Sequence, residues 1–273
     1  MYYGHYDIFK AYTNTLLPFK INGELQHGWS AKSGITSADL ESKIEKLKNA
    51  RYYVFNKRNR EFAFEKGYKN VVAIGAPFIY IKNFKKYFSK QETKSLILFP
   101  THTHEYMKKT DLFRCYSEYL DEISKISNNF GKITVSLFWR EFSNKNILKL
   151  FNKSGISVIT MGPRDKNPNF LINFIKEVSK HEYISSDNFC SALFYGLFMK
   201  KKAFIFGDAI KNSKIFNFSN YDLILEYFSS KYPELIWNNF DHANHSKIAE
   251  KELGLRFKLD PKKVKKLFDW KFY

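Results

Sequence analysis

Short apolar runs alternate with amphipathic stretches along this chain, and that alternation limits its possible folds more than any other feature. Eight runs have the composition of strands, at 21–26, 51–55, 70–75, 95–100, 132–139, 157–162, 182–186 and 202–207. Helical patterns lie between them, at about 39–49, 58–66, 111–127, 143–154, 168–180 and 189–200. Strand–helix–strand order produces parallel sheets, and parallel strands buried on both faces are continuously apolar. The pattern therefore predicts an α/β fold.

A lysine-rich segment, residues 82–94 (KNFKKYFSKQETK), interrupts this alternation. We place a domain boundary there, with a small N-terminal α/β unit over 1–84 and a larger unit over 93–210. The remaining residues, 211–273, are predicted to form a helical tail that packs back on both units. Within the tail, Asp260 before Pro261 predicts a helix start, because aspartate caps helices and proline suits the first helical position.

The formal charge of +18, from 45 basic and 27 acidic residues, points to an anionic partner. Nucleic acid, anionic lipid and phosphorylated substrates all fit such a field. No apolar run reaches the ~18 residues of a membrane span, and the first 20 residues do not resemble a signal peptide. Two cysteines are too few for a disulfide framework. We therefore expect a cytoplasmic protein.

Polar and charged residues follow most of the predicted strands, where open α/β sheets bind their ligands. The candidate site residues are His27, Gly28, Trp29, Gly75, Pro77, Thr101, His102, Thr103, His104, Glu105, Arg164, Ser185, Ser186, Asp187 and Asn188. The opposite strand ends carry mostly Lys, Asn and Gly. This asymmetry predicts a binding or catalytic cleft at one edge.

Residues 185–188 (SSDN) lead into the apolar helix predicted at 189–200 and are predicted to cap its start. Free amides at such a start, together with the serine hydroxyls, suit a phosphate group. Ordinary helix capping explains the same residues. Arg164 is a candidate for a second phosphate contact.

Histidines provide the candidate acid–base groups. His27 is placed to act as a general base, although packing against Trp29 is an alternative. His102 and His104 share one side of an extended chain and are expected to contact phosphate. A zinc site would need a third ligand at a recognised spacing, so no metal is predicted. His181 is expected to face solvent.

Several motifs are absent from the sequence. It contains no G-x-G-x-x-G, no G-x-x-x-x-G-K-[ST] and no G-x-S-x-G. Dinucleotide-dependent redox enzymes, P-loop proteins and α/β-hydrolases are therefore disfavoured. A basic nucleic-acid-binding α/β protein and a phosphoribosyl-type transferase remain alternatives.

The order of these motifs resembles GT-B-type bacterial glycosyltransferases of surface polysaccharide biosynthesis. It is similar to the CDP-glycerol glycerophosphotransferases in its His27-Gly28 pair, its Pro100-Thr101 turn and the stretch SSDN-FCSALFYGLFMKKKAFIFG at 185–207. Histidines after Thr101 depart from that family and are similar to the CMP-sugar transferases. The resemblance covers roughly residues 21–210.

This resemblance implies two Rossmann-like units facing a cleft. The acceptor would bind near Gly28, Trp29, Gly75 and Pro77 of the first unit, and the donor nucleotide near residues 101–105, 164 and 185–188 of the second. The resemblance implies a glycosyltransferase, or a related sugar- or polyol-phosphate transferase, with His27 as base and no cofactor. The donor would be nucleotide-activated, with cytidine favoured, and the acceptor a capsule or lipopolysaccharide precursor or lipid-linked glycan. The basic tail, with Leu267, Phe268 and Trp270, is a candidate for contact with the inner face of an anionic membrane. No specific nucleic-acid partner is implied.

Overall fold

The computed structural model describes residues 2–16, 20–31, 49–101, 109–207 and 221–270, with the backbone alone for residues 2, 109–114 and 221–224. All eight predicted strands are present and parallel, which confirms the α/β class. They are β1 (Glu24–Leu25), β2 (Arg51–Val54), β3 (Asn70–Ala73), β4 (Ser95–Leu98), β5 (Lys132–Ser136), β6 (Ser157–Ile159), β7 (Tyr183–Ser186) and β8 (Lys202–Ile205).

Helices connect and flank these strands. The α-helices are α1 (His5–Thr13), α2 (Lys57–Glu65), α3 (Lys109–Ile126), α4 (Trp139–Phe142), α5 (Lys145–Lys153), α6 (Phe170–Ser179), α7 (Ser191–Phe198), α8 (Tyr221–Lys231), α9 (Ser246–Glu252) and α10 (Pro261–Leu267). Short 3₁₀ turns include Pro77–Tyr80 and Leu255–Phe257. The predicted helix at 39–49 lies almost wholly outside the described residues.

The chain divides into two compact units. Unit 1 consists of Met1–Lys86, Asp165–Leu171 and Ser246–Tyr273, and unit 2 of Tyr87–Arg164 and Ile172–His245. The first division falls inside the lysine-rich segment 82–94. The region after 210 is shared, because α8 belongs to unit 2 whereas α9 and α10 belong to unit 1.

Unit 1 is built on a three-stranded sheet in the order β1-β2-β3. Its core is aromatic: the Phe9 ring of α1 lies 4.7 Å from Tyr80 and 5.0 Å from Phe268, between ring centroids. Tyr53 of β2 contacts Phe268 at 5.1 Å. Residues from the start, middle and end of the chain thus share one core.

The end of the chain belongs to this core. Asp260 caps α10 by accepting a hydrogen bond from the Lys263 amide at 2.9 Å, which confirms the predicted helix start. Phe268 and Trp270 are 1% and 2% exposed, so the prediction that they contact a membrane is wrong. Burying two large aromatic side chains stabilises the fold more than leaving them at the surface.

Unit 2 contains a five-stranded sheet in the order β6-β5-β4-β7-β8. Helix α3 packs on it through Tyr116, Tyr119 and Ile123, which recur at helical spacing and are buried. Leu96 and Leu98 of β4, also buried, complete this part of the core. Such an order, with the first strand in the middle, is that of a doubly wound sheet.

In the described part of the chain, no helix is both long and apolar enough to cross a bilayer.

Candidate functional site

The strand order in the sheet of unit 2 reverses between β4 and β7. These strands are neighbours although β5 and β6 lie between them in sequence, and Leu98 stands opposite Ser185. In doubly wound folds the crevice outside the carboxyl ends of two such strands is the usual ligand site. Thr101 follows β4 and Asp187 follows β7, so two of the predicted site residues meet there.

Thr101 and Asp187 are joined directly. The Thr101 amide and its hydroxyl both donate to Asp187 Oδ1, at 2.9 Å and 2.8 Å. Asp187 is fully buried. Its carboxylate therefore fixes the start of the segment that leaves β4, a role that the sequence analysis did not foresee.

Ser186 and Asn188 also hold the two strand ends together. The Ser186 hydroxyl donates to the Phe99 carbonyl at 2.7 Å, and the Asn188 amide donates to Ser186 Oγ at 3.4 Å. The Asn188 side-chain oxygen accepts from the Phe189 amide at 2.7 Å. Ser186 and Asn188 are 2% and 4% exposed. The described polar groups at this crevice thus form a connected, pre-positioned network.

The prediction that residues 185–188 form the capped start of the next helix is wrong. Helix α7 begins at Ser191, and its N-cap is Cys190 without a side-chain capping bond. Ser185 and Ser186 belong to β7, as the strand predicted at 182–186 requires, and this strand pairs with β4 on one side and β8 on the other. The serine hydroxyls therefore lie at a strand end, not at a helix start.

Buried phenols and carboxylates lie next to the crevice. Tyr116 donates its hydroxyl hydrogen to Glu141 Oε2 at 2.5 Å. Burial, and then the Glu141 and Asp187 charges, raise the pKa of Tyr116 well above its usual value. Burial and the Asp187 charge do the same to the pKa of Tyr119. Sequence reasoning missed these tyrosines because their spacing on α3 is that of ordinary core residues.

The remaining unit 2 candidates are less well defined. Arg164 follows β6 and is partly exposed. His102, Thr103, His104 and Glu105 lie outside the described residues, so their predicted contacts with phosphate stay predictions.

In unit 1, His27 and Gly28 follow β1 in a turn that is held by hydrogen bonds of Gln26. The Gln26 side chain donates to the Gly28 carbonyl at 2.9 Å and accepts from the Phe55 amide at 3.1 Å. The backbone N–H of Gln26 donates to the Tyr53 carbonyl at 2.8 Å. His27 itself is partly buried, at the carboxyl end of its strand.

Trp29 is part of a buried ion-pair cluster. Its indole N–H donates to Glu252 Oε2 at 3.1 Å, and Arg58 Nη2 lies 2.7 Å from the same oxygen. The Arg58 guanidinium also lies 5.9 Å from the Trp29 ring centroid. These contacts give Trp29 a packing role. The sequence carries no signal for it, since 223 residues separate Trp29 from Glu252.

Gly75 and Pro77 shape the end of β3. Gly75 has a φ of +79°, and a Cβ on it would lie 3.0 Å from the Gly254 carbonyl oxygen. Pro77 opens a buried 3₁₀ turn. Both have a backbone role here, and their predicted contact with an acceptor stays a prediction.

His5 is a second imidazole near His27 that the sequence analysis did not identify. It begins α1 and is 1% exposed, and within the described part of the chain its Nε2 has no hydrogen-bond partner. Burial, and then repulsion from His27, lower the pKa of His5 to about 3. His5 is therefore a neutral imidazole at physiological pH.

Comparisons with known proteins find no matching family model and no matching curated protein. Among solved structures, similar chains include a Listeria monocytogenes protein described as a UDP-N-acetylglucosamine 2-epimerase, at 10% identity and a TM-score of 0.42. The match covers 81% of this chain and 60% of that one. The wall teichoic acid polymerase TagF, as its H548A form, matches at 11% identity and a TM-score of 0.45, over 86% of this chain and 61% of TagF.

The chain thus spans about three fifths of the length of these proteins. Likenesses this distant do not assign an activity to it.

Proposed function

We propose that the protein is a glycosyltransferase, or a related sugar- or polyol-phosphate transferase, that uses a nucleotide-activated donor. A cytidine nucleotide is the favoured donor group, and the acceptor is a capsule or lipopolysaccharide glycan precursor. The sequence resemblance to GT-B enzymes over residues 21–210 supports this proposal.

The observation that carries the proposal is the crevice between β4 and β7. Doubly wound sheets bind nucleotides at this position, outside the carboxyl ends of the strands where their order reverses. The polar network of Thr101, Ser186, Asp187 and Asn188 occupies it in unit 2. The donor nucleotide binds there in our proposal, with Arg164 and the histidines at 102 and 104 as phosphate ligands.

In the proposed reaction, an acceptor hydroxyl attacks the transferred group. The new bond forms to the acceptor oxygen, the bond to the nucleotide phosphate breaks, and His27 takes the hydroxyl proton. Cationic and N–H groups around the leaving phosphate stabilise its charge. No metal ion takes part in this scheme.

The proposed place of reaction is the cytoplasmic face of a membrane that carries lipid-linked acceptors. The net charge of +18 supports attraction to anionic head groups. With Phe268 and Trp270 buried, this attraction depends on lysines such as Lys262, Lys263 and Lys266, which are exposed on α10. Binding should therefore be electrostatic and weaken with salt.

Thermal unfolding in the presence of CMP, CDP, UDP and ADP tests the donor site. We expect cytidine nucleotides to raise the melting temperature most, because a ligand at about 100 times its Kd stabilises by ~2.7 kcal/mol. Ser186→Ala should reduce this shift. The matched control is Ser124→Ala, which removes an exposed hydroxyl on α3. Failure of every nucleotide at millimolar concentration to raise the melting temperature would contradict the proposal.

Once a donor is identified, the rate of nucleotide release in the presence of a lipid-linked glycan fraction tests whether His27 is the general base. His27→Ala should lower the rate by about 10²–10⁴, the usual contribution of general-base catalysis. His245→Ala is the control, because His245 pairs with exposed Asp241 in unit 2. Full turnover by His27→Ala would remove His27 from the mechanism.

A further inference from the structure

Unit 1 carries an open groove of about 630 Å³ that none of the predicted site residues lines. It lies between the start of α1, the chain entering β1 and the segment 165–168, all within unit 1. Its volume is within the ~300–1,000 Å³ typical of ligand sites. Six of its side chains matter for its chemistry: Tyr6, Asp7, Lys20, Glu24, Asp165 and Lys166.

The charge of the groove differs from that of the protein. Three carboxylates and two ammonium groups line it, on a chain whose formal charge is +18. A phosphate-rich ligand would meet more negative than positive charge there. An uncharged ligand with many hydroxyl groups fits better, because hydroxyls donate to carboxylates and accept from lysines.

An aromatic ring adds an apolar surface to these polar groups. Tyr6 is partly exposed in the groove, and its ring meets Trp270 edge-on at 6.0 Å between centroids. Trp270 is itself fixed, since its indole N–H donates to the Lys20 carbonyl at 3.0 Å. Buried Ile21 lies beside them. A planar ring next to carboxylates offers both the C–H contacts and the hydrogen bonds that a sugar ring needs.

A glycine lets two walls of the groove come close together. Gly4 has a φ of +70°, and a Cβ on it would lie 1.9 Å from the carbonyl oxygen of Pro168, which also lines the groove. Because Gly4 excludes a side chain, the backbone itself sets the distance between these walls. A site formed in advance of binding loses less free energy to ordering.

We infer that this groove binds a neutral oligosaccharide, with Tyr6 as the stacking surface and Asp7, Glu24 and Asp165 as hydrogen-bond acceptors. This inference rests on the proposed function, in which it identifies the acceptor as an uncharged glycan. The basic surface would then attract the membrane or the donor, whereas the groove selects the sugar.

An array of neutral, sialylated and phosphorylated oligosaccharides, probed with the whole chain without nucleotide, tests the inference. We expect retention of neutral oligosaccharides in preference to charged ones. Tyr6→Ala and Asp165→Asn should each weaken this retention at least tenfold, with melting temperatures close to the original. The control is Tyr227→Ala in unit 2, which removes a tyrosine that is 57% exposed.

Three outcomes overturn the inference: no oligosaccharide is retained, only charged ones are retained, or both groove variants bind as well as the Tyr227→Ala control. The result is separable from the donor experiment. A protein that is stabilised by nucleotides but retains no neutral glycan loses this inference alone. A protein that retains glycans but no nucleotide loses the proposed donor instead.

Discussion

The parallel strands of the five-stranded sheet all end at one side, the carboxyl edge, and all begin at the other, the amino edge. Polar side chains at these two edges have different partners. At the carboxyl edge, Asp187 and Glu141 accept hydrogen bonds from an amide and from hydroxyl groups, of Thr101, Ser186 and Tyr116. At the amino edge, Glu182 meets a lysine, with Lys202 Nζ 2.7 Å from its Oε1. Neutral donors thus help to hold carboxylates at the first edge, and an ion pair holds one at the second.

The amino edge also buries a cationic side chain. Lys201 is 5% exposed, and its ammonium donates to Gln91 Oε1 at 2.5 Å and to the Ser179 carbonyl at 3.0 Å. Burial lowers the pKa of Lys201 to about 8. These contacts tie the sheet to its flanking segments. The amino edge is thus held by an ion pair and a buried ammonium group, whereas the carboxyl edge carries the crevice in which we propose that the donor binds.

Removing the Asp187 carboxylate should have the largest effect on stability. Asp187→Ala leaves the Thr101 amide and hydroxyl without their acceptor, so we expect a loss of about 3 kcal/mol in the free energy of unfolding. Asp187→Asn keeps an acceptor oxygen and should cost clearly less. Guanidinium denaturation measures both. An alanine variant within 1 kcal/mol of the original would mean that this brace does not stabilise the carboxyl edge.

Acid should destabilise the protein through His181 at the amino edge. Burial, and then the Lys132 charge, lower the pKa of His181 from 6.5 to about 4. The unfolded chain therefore binds more protons between these values, and stability present above pH 6.5 is lost as pH falls. From pH 7 to pH 5 the loss from this residue should be about 2 kcal/mol.

Denaturation at both pH values, with His181→Gln beside the original, checks this loss. The glutamine variant should be less sensitive to acid by that amount, whereas the control variant His245→Gln should not. Equal sensitivity in His181→Gln and the original would show that His181 is not the acid-sensitive group.

The smallest effect is expected for the ion pair at the amino edge. Glu182→Gln removes its attraction to Lys202, and we expect a cost of about 0.5 kcal/mol because partly exposed ion pairs contribute little. The cost should shrink further in 1 M salt. A loss as large as that of Asp187→Ala would remove the contrast between the two edges.

Much of the fold was predictable because strands that are buried on both faces have continuously apolar sequences. All eight strands coincide with apolar runs, and the helices from α2 to α7 fall within a few residues of their predicted places, apart from the short α4. Helix α1 was not predicted from the sequence pattern. Its Phe9 packs between Tyr80 and Phe268, residues far along the chain. Tertiary contact, not local pattern, stabilises that helix.

The site was predictable only in part. Strand ends located Thr101 and Asp187, but not the bond between them, since 86 residues separate the two. Local capping preference made residues 185–188 the cap of the following helix, whereas its N-cap is Cys190 and Ser185 and Ser186 lie in the strand predicted at 182–186. His181 was expected to face solvent, which is wrong, because it is 3% exposed where α6 meets β7. The sequence around a single polar residue next to a strand does not indicate how deeply its side chain is buried.

The shared aromatic core of unit 1 has a consequence for biosynthesis. Its three strands leave the ribosome before unit 2, yet Phe9 and Tyr53 gain their partner Phe268 only after unit 2 has been synthesised. Unit 2 draws on residues 87–245 alone and is complete earlier. Since domains tend to fold in order of emergence, this chain inverts that order for its first 86 residues. A nascent chain stalled before residue 246 would expose an unfinished apolar surface, a target for chaperones and proteases.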